Sequence, residues 1–371
     1  MNEDKSSRYH RLNRRATLAW TIVAGTALVG LVWGGGSRAI RDLAAAATAA
    51  SPAAPSTVAV YALLLVLGYY ALRFPLAVYQ GFVLERRYGL STERLSVWAR
   101  DHLRAALLVG TLTVGAAEVV YVSQRWSAEW WWVVSAACFI AGLLILARVA
   151  PVVILPLFYR FEPLERESLR GRLHALSERA GIPVLGTYVW GLGARSRRAN
   201  AALIGSGPTR RILLSDTLLA DYSDDEIEVI LAHEMAHHVH GDIRTGLAVE
   251  SMLVIAGFGL GAAALRAFWP ALELSGPSDV AGLPLLVLAG SLVSLAAAPA
   301  MNALSRRNER RADRYALRLA GQPEAFVSAM RRLGAQNLAE EHPSRIARWL
   351  FHTHPSIEER IQQARSYRTS S

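Results

Sequence analysis

The chain has 371 residues, of which 52% are apolar and only 19% charged, with a formal net charge of +10. Soluble enzymes carry about 25% charged residues, so this composition is too apolar for that class. The single cysteine, Cys138, excludes an intramolecular disulfide and a cysteine-based zinc ribbon. The basic excess comes without the signatures of a nucleic-acid recognition fold, and we attribute it to membrane topology.

Six apolar segments are long enough, or nearly so, to cross a bilayer as helices, which takes ~20 residues. Their approximate bounds are 16–36, 57–83, 103–122, 130–158, 245–270 and 282–304. The first segment follows a basic tail, as a signal peptide would, but its length and the later spans favour an uncleaved anchor. The pattern predicts a predominantly α-helical, polytopic membrane protein.

Basic residues are distributed unevenly between the loops. The N-terminal tail and the loop after the second span each carry five Lys or Arg, whereas the loops on the other side are poorer in both. By the positive-inside rule, we expect both termini and the polar stretch 159–244 in the cytoplasm. The Arg- and Ala-rich composition suggests a bacterial plasma membrane.

The polar stretch 159–244 has the pattern of a compact α/β unit. A helix, a strand and the two strands of a hairpin are predicted at 164–180, 188–190, 201–204 and 211–215. The hairpin turn is the glycine- and proline-containing stretch 205–208. Ser223 and Glu226 form a capping box that opens a further helix, which runs through Val239.

His233-Glu234-Met235-Ala236-His237 lies in the middle of this capped helix. Histidines four residues apart share a helix face and can bind one metal ion, while Glu234 can reach a metal-bound water. A chance match is the alternative, but an apolar, capped helix beside a membrane span argues against it. His238 and His240 point elsewhere on the helix, and we expect them to be exposed.

A zinc site of this kind needs a third protein ligand. Several residues are possible, and the best candidate follows the last span, where Glu309 and Asp313 share a helix face. Glu309 could ligate the zinc while Asp313 accepts the second ring N–H of a ligand histidine. The alternative is a solvated acidic pair among arginines, which is the commoner role of such residues.

The pairing of His233-Glu234-x-x-His237 with Ser305-Arg306-x-x-Glu309-x-x-Ala312-Asp313 resembles the type 1 CAAX prenyl protease family. These proteins are membrane gluzincins related to the HtpX proteases. Three further segments resemble the family: Arg198-Ala199-Asn200-Ala201, Asp225-Glu226-Ile227 and the stretch from His354-Pro355 to Arg360. Upstream, segments 82–91 and 156–164 resemble the CAAX type rather than HtpX. The resemblance covers nearly the whole chain from the second span onward.

The resemblance implies an integral membrane zinc metalloendopeptidase with one zinc ion per chain, held by His233, His237 and Glu309. It implies the following roles: Glu234 activates water, Asp313 supports a ligand histidine, Asn200 holds the substrate backbone, and His354 and Arg360 stabilise the oxyanion. Taken alone, Asn200 could be a turn residue and His354-Pro355 a helix stop. The implied partners are the bilayer and peptide or protein substrates at the membrane, with lipidation left open, and no nucleic acid.

The expected organisation has four regions. They are an N-terminal transmembrane region of four spans (1–158), a cytoplasmic catalytic unit with the zinc helix (159–244), two further spans (245–304) and a helical cytoplasmic part that completes the site (305–371). Eukaryotic family members have seven spans, whereas we count six here, and a seventh remains open.

Two other functions fit parts of the pattern. One is an HtpX-like protease that removes damaged membrane proteins instead of maturing lipidated C-termini. The other is a membrane transporter in which the histidines and Glu309 form an ion site. However, transporter sites cluster at the bilayer midplane, and these residues fall outside the predicted spans.

Overall fold

The computed structural model describes residues 4–52, 54–340 and 343–368. The N-terminal half is helical: α1 (Lys5–Trp33), α2 (Gly36–Thr48), α3 (Pro55–Val78), α4 (Glu85–Arg87), α5 (Leu95–Trp126), α6 (Trp131–Val149) and α7 (Leu155–Phe158). One π-helical turn, Tyr79–Leu84, joins α3 to α4, and another, Ala150–Ile154, joins α6 to α7. Each pair therefore forms one continuous helical rod.

The catalytic region follows, with a small sheet between helices. Its elements are β1 (Phe161–Pro163), α8 (Glu167–Arg179), β2 (Gly186–Trp190), β3 (Ala201–Ile204), β4 (Arg211–Ser215), α9 (Asp216–Asp221) and α10 (Asp224–Val239). The chain then forms α11 (Asp242–Phe268), α12 (Leu283–Ala320), α13 (Pro323–Gln336), α14 (Arg345–Phe351) and α15 (Ile357–Arg368).

Six rods among the described residues are long and apolar enough to cross a membrane, which confirms the predicted polytopic α-helical fold. They are built on α1, α3, α5, α6, α11 and α12. Their main contacts follow a closed ring, α1–α3–α5–α6–α11–α12, in which α12 returns to α1. Helix α2 has only 13 residues, about 20 Å, which is too short for a seventh span.

The sheet has the strand order β1-β2-β4-β3. Strands β2 and β4 are parallel, while β3 and β4 form the predicted antiparallel hairpin. The sequence pattern predicts no strand at the position of β1, and it begins the helix α8 too early, at residue 164. The helix begins at Glu167 because the backbone N–H of Leu164 donates to Thr187 O and continues the sheet pairing.

One buried apolar cluster joins the sheet, α8, α10, α13 and α15. Its fully buried members include Leu169, Leu173, Leu176, Ile212, Leu214, Ile227, Leu231 and Phe326. The cluster packs α10 against β3 on one side and against α13 on another, and α15 packs in turn on α13. The orientation of α10 is therefore set by core packing from both directions.

Helices α11 and α12 form a helical hairpin that brings the chain back beside α10. Helix α11 begins at Asp242, shortly after α10 ends, and the residue between them that turns the chain is Gly241, whose φ is +70°. Small residues let α11 and α12 approach closely, since a Cβ added at Gly261 would lie 2.7 Å from Leu286 Cδ2. Helix α12 runs past its apolar part to Ala320, so its polar end packs alongside α10.

Candidate active site

Helix α10 carries the two motif histidines and begins at the predicted capping box. The backbone N–H of Ser223 donates to Glu226 Oε2 at 2.8 Å, and the Glu226 N–H donates to Ser223 Oγ at 3.3 Å. Ile227 and Leu231 anchor the helix in the core. His233 follows Leu231 by two residues and is buried, while His237, about one turn further along the helix, is half-buried.

The structure brings His233, His237 and Glu309 together. One ligand atom from each residue lies within 4.8 Å of the other two. Nε2 of His233 is 3.2 Å from Glu309 Oε2, and Nε2 of His237 is 3.5 Å from Glu309 Oε1. Two imidazoles and a carboxylate are the donors that zinc prefers in catalytic sites.

A carboxylate contacts the outer ring nitrogen of each histidine. Nδ1 of His233 is 2.9 Å from Asp313 Oδ1, and Nδ1 of His237 is 2.8 Å from Asp242 Oδ2. These contacts favour the tautomer with the proton on Nδ1, which leaves both Nε2 lone pairs facing the Glu309 carboxylate. Lone pairs at these distances repel unless a cation lies between them, so the residues fit a metal ion.

The carboxylates around His233 also favour a positive charge at this ring. Burial opposes protonation of the ring, but hydrogen bonds to Asp313 and Glu309 outweigh it and raise the pKa of His233 to about 9. The same acidic surroundings favour any cation at this ring, and a metal ion would bind the neutral imidazole in place of a proton.

Arg360 contacts the side of the His233 ring that faces away from Glu309. Its Nε donates to Asp313 Oδ2 at 2.9 Å, a second guanidinium nitrogen donates to Oδ1 at 2.5 Å, and that nitrogen is 3.3 Å from His233 Nδ1. The guanidinium also faces the Phe326 ring, 6.0 Å from its centroid. This bidentate pair fixes Asp313, and through it the orientation of the His233 ring.

His354 and Glu234 border the cluster on other sides. The His354 side chain is 61% exposed, with Nε2 3.3 Å from Glu309 Oε1, in the connection between α14 and α15. Glu234 follows His233 on α10 and is half-buried. Burial raises the pKa of the Glu234 carboxyl, although the neighbouring histidines act against this shift.

Asn200 directly precedes the edge strand β3, and its side chain is exposed. Its carbonyl accepts a hydrogen bond from the Ser215 N–H at 2.9 Å. In an antiparallel ladder the bonded pairs alternate, so the backbone groups of Ala201 and Leu203 face the free edge. An extended peptide can therefore reach β3 beside Asn200.

The prediction that His238 and His240 are exposed is wrong, since both are half-buried. His238 Nε2 lies 2.9 Å from the carbonyl of Leu203, because β3 packs against α10. The His240 ring packs edge-on against Tyr315, with centroids 5.5 Å apart. His238 thus bonds one of the carbonyl groups at the free edge of β3 and connects this strand to α10.

Asp242 is the site residue that the sequence analysis missed. It lies five residues after His237, beyond the break at Gly241, so helical spacing does not place it beside the histidines. A carboxylate just after the second histidine was the only available signal. Its side chain is 9% exposed, and it also bonds Arg311 from α12.

Comparisons with known proteins agree with this geometry. The family model of peptidase family M48 matches residues 163–368, and that of the CAAX prenyl protease N-terminal region, with five membrane helices, matches residues 2–160. Over that second range this chain has four candidate spans within its described residues. The family resemblance found in the sequence is confirmed.

Individual relatives span most of the chain. An uncharacterized metalloprotease, YhfN, of Bacillus subtilis is 32% identical over 76% of this chain and 68% of its own length. CAAX prenyl protease 1 of Saccharomyces cerevisiae is 27% identical over 77% of this chain and 67% of its own length. The crystal structure of S. mikatae Ste24p has the same fold, with a TM-score of 0.83 and 22% identity over 97% of this chain and 87% of that one.

The transporter alternative gains no support, since the matched families are peptidases and the cluster lies on α10 and the polar end of α12. The HtpX-like alternative is not better supported than the CAAX protease type. The match of over half the chain and the 32% identical relative establish the family. The chain therefore belongs to peptidase family M48, and it is a multi-pass membrane metalloprotease.

Proposed function

We propose that this metalloprotease is a zinc endopeptidase that cleaves membrane-associated proteins at the cytoplasmic face of a bacterial plasma membrane. The observation that carries the proposal is the cluster of His233, His237 and Glu309, in which a carboxylate orients each histidine. One zinc ion per chain fits this donor set. A bound zinc ion supplies the Lewis acidity that peptide hydrolysis needs at neutral pH.

The proposed roles of the surrounding residues follow from their positions. Glu234 takes a proton from the attacking water and passes it to the leaving amine, as a general base and then a general acid. His354, exposed and 3.3 Å from Glu309, donates to the oxyanion that develops on the scissile carbonyl. Asp313 holds His233, and its bidentate bond to Arg360 supports a positioning role for the guanidinium. The sequence prediction of Arg360 as an oxyanion donor stays a prediction.

Substrate binding is proposed at the free edge of β3. An extended peptide would pair with the outward backbone groups of Ala201, and the exposed Asn200 amide would hold its main chain. Strand addition of this kind gives affinity through backbone hydrogen bonds and demands little of the sequence. The bond from His238 to Leu203 keeps this edge beside the histidines.

The four-region organisation is kept as part of the proposal. The unit 159–244 supplies the two histidines, and the part 305–371 supplies Glu309, His354 and Arg360. Neither part alone holds all three proposed metal ligands. The spans 245–304 are therefore needed to bring Glu309 beside the two histidines. The positive-inside distribution of basic residues supports a cytoplasmic location for both parts and for both termini.

The names of several relatives indicate the substrate class, which we propose to be lipidated proteins with a CAAX box. The test uses the full chain in nanodiscs with a farnesylated CAAX peptide and the same peptide unlipidated. We expect cleavage of the farnesylated peptide that a chelator abolishes and zinc restores. Cleavage of an unlipidated membrane protein but of neither peptide would favour quality control, and no cleavage by the zinc-loaded protein would contradict the peptidase proposal.

A further inference from the structure

Helix α14 docks where the apolar part of the last span ends. Nδ2 of Asn302 donates to the carbonyl of Leu350 at 2.7 Å, and Arg306 donates to the carbonyls of Arg348 and His352 at 3.0 and 2.5 Å. These bonds hold α14 alongside residues 302–306 of α12. In this part of α12 the apolar sequence gives way to arginines, so α14 lies at the level of the membrane surface.

The outer side of α14 is unusually apolar for a segment outside the spans. Ile346 is 72% exposed and Trp349 is 56% exposed, and Leu350 and Phe351 are exposed beside them. Leu295 of α12, 60% exposed, lies seven residues before Asn302 and hence on the same face of that helix. The face that meets the acyl chains therefore leads directly to α14, and tryptophan is typical of this interfacial depth.

A cavity of about 510 Å³ opens beside these apolar side chains. Four arginines line it: Arg306, Arg310, Arg345 and Arg348. Glu359 pairs with Arg348 at 2.6 Å. Within the described part of the chain, no carboxylate lies within 4.0 Å of the other three guanidinium groups. Among the described residues, four arginines and one glutamate line the cavity, which leaves a surplus of about three positive charges.

We propose that this arginine cavity binds the phosphate headgroup of an anionic phospholipid, with the exposed side chains of α14 inserted among the acyl chains. Guanidinium groups bind phosphate with paired, charge-assisted hydrogen bonds. Arginine clusters just beyond a span, next to an apolar helix face, are the features by which proteins bind anionic leaflets. The phosphate supplies the counter-charge and the bilayer covers the apolar face, so one ligand accounts for both.

The lipid would act on a residue of the site. Three residues connect α14 to Pro355, and His354 is the last of them. A lipid that fixes α14 would therefore fix the approach of His354 to Glu309. The binding itself does not depend on the proposed function, whereas an effect of the lipid on turnover rests on it.

The test measures lipid contact directly. The full chain is placed in nanodiscs that contain a photoactivatable phosphatidylglycerol or a photoactivatable phosphatidylcholine, and the labelled peptides are identified after illumination. The variant is Arg310→Gln with Arg345→Gln, because both side chains are exposed and neither makes the docking bonds of α14. The matched control is Arg331→Gln with Arg365→Gln, an equal loss of charge at exposed positions of α13 and α15.

We expect phosphatidylglycerol to label α14 and residues 302–310 in preference to phosphatidylcholine. The cavity variant should lower its apparent affinity about 30-fold, at ~1 kcal/mol for each arginine lost near the surface, and the control should not. Equal labelling by both lipids, or equal effects of the two variants, would overturn the proposal. Metal content serves as the folding check. Loss of lipid preference with metal content retained would separate this site from the peptidase proposal.

Discussion

Asp242 lies with Oδ2 2.8 Å from Nδ1 of His237, and its other oxygen bonds Arg311. The same relationship recurs at Asp313 and His233, at 2.9 Å. Each histidine is therefore held by one carboxylate, and each carboxylate is in turn held by an arginine. This repeated pairing fixes both rings with their Nε2 atoms toward Glu309.

Replacing Asp242 with alanine should weaken metal binding about 10- to 100-fold, since the His237 ring loses its orientation and basicity. Metal titration of the purified protein measures this change. Asp225→Ala is the control, because Asp225 is exposed in the first turn of the same helix and pairs only with Arg172 among the described residues. Equal affinities for the two variants would contradict the orienting role of Asp242.

Replacing Glu234 with glutamine should lower kcat about 100- to 10,000-fold and leave metal content nearly unchanged. The amide keeps the size of the side chain but cannot accept the proton of the attacking water. Single-turnover cleavage and metal analysis on the same sample measure the two effects. Wild-type turnover in this variant would exclude Glu234 as the general base.

Arg14 of helix α1 bonds the segment that leads to His354. Arg14 donates to Glu340 Oε1 at 3.1 Å, and His352 Nε2 lies 3.2 Å from Oε2 of the same carboxylate. The Glu340 side chain is only 5% exposed. Removing Arg14 therefore leaves a buried carboxylate with weaker compensation, which is costly.

We expect Arg14→Ala and Glu340→Ala to show a coupling free energy of about 1–3 kcal/mol in a double-mutant cycle. Thermal unfolding in detergent provides the measurement. Arg8→Ala, an exposed arginine of the same helix, is the control and should show no coupling to Glu340. Additive effects of Arg14 and Glu340 would mean that the pair does not hold the segment.

The hairpin turn offers a matched pair of glycines. Gly205 has φ +83°, and an added Cβ would lie 2.6 Å from Thr209 O, whereas Gly207 has φ +55° and open space around it. Gly205→Ala should therefore destabilise the protein by about 1–3 kcal/mol and lower peptide affinity at the β3 edge, with a smaller effect for Gly207→Ala. Unfolding and KM measurements compare the two, and equal losses would contradict a special role for Gly205.

Local patterns in the sequence account for much of this structure. Hydropathy identifies the spans because a bilayer demands about 20 apolar residues, and the capping box identifies the start of α10 because its hydrogen bonds are local. The His233–His237 pair follows from helical spacing alone. Glu309 could be proposed because it lies on a helix with Asp313, but its approach to the histidines depends on the α11–α12 hairpin.

Long-range packing accounts for what the sequence could not reveal. Strand β1 has three residues and no periodicity of its own, and it forms only because β2 pairs with it. Arg14 and Glu340 are 326 residues apart, so no local pattern links them. Helical spacing alone predicts an exposed His238, but β3 packs against α10 from the hairpin and half-buries this side chain.

The measurement that tests the central claim most directly is zinc content with proteolysis on wild type and Glu309→Ala, purified side by side. The account predicts about one zinc per wild-type chain and a peptidase activity that a chelator removes, with both lost in the variant. Unchanged zinc and activity in Glu309→Ala would contradict the three-residue site, and so would a wild-type protein that binds no zinc.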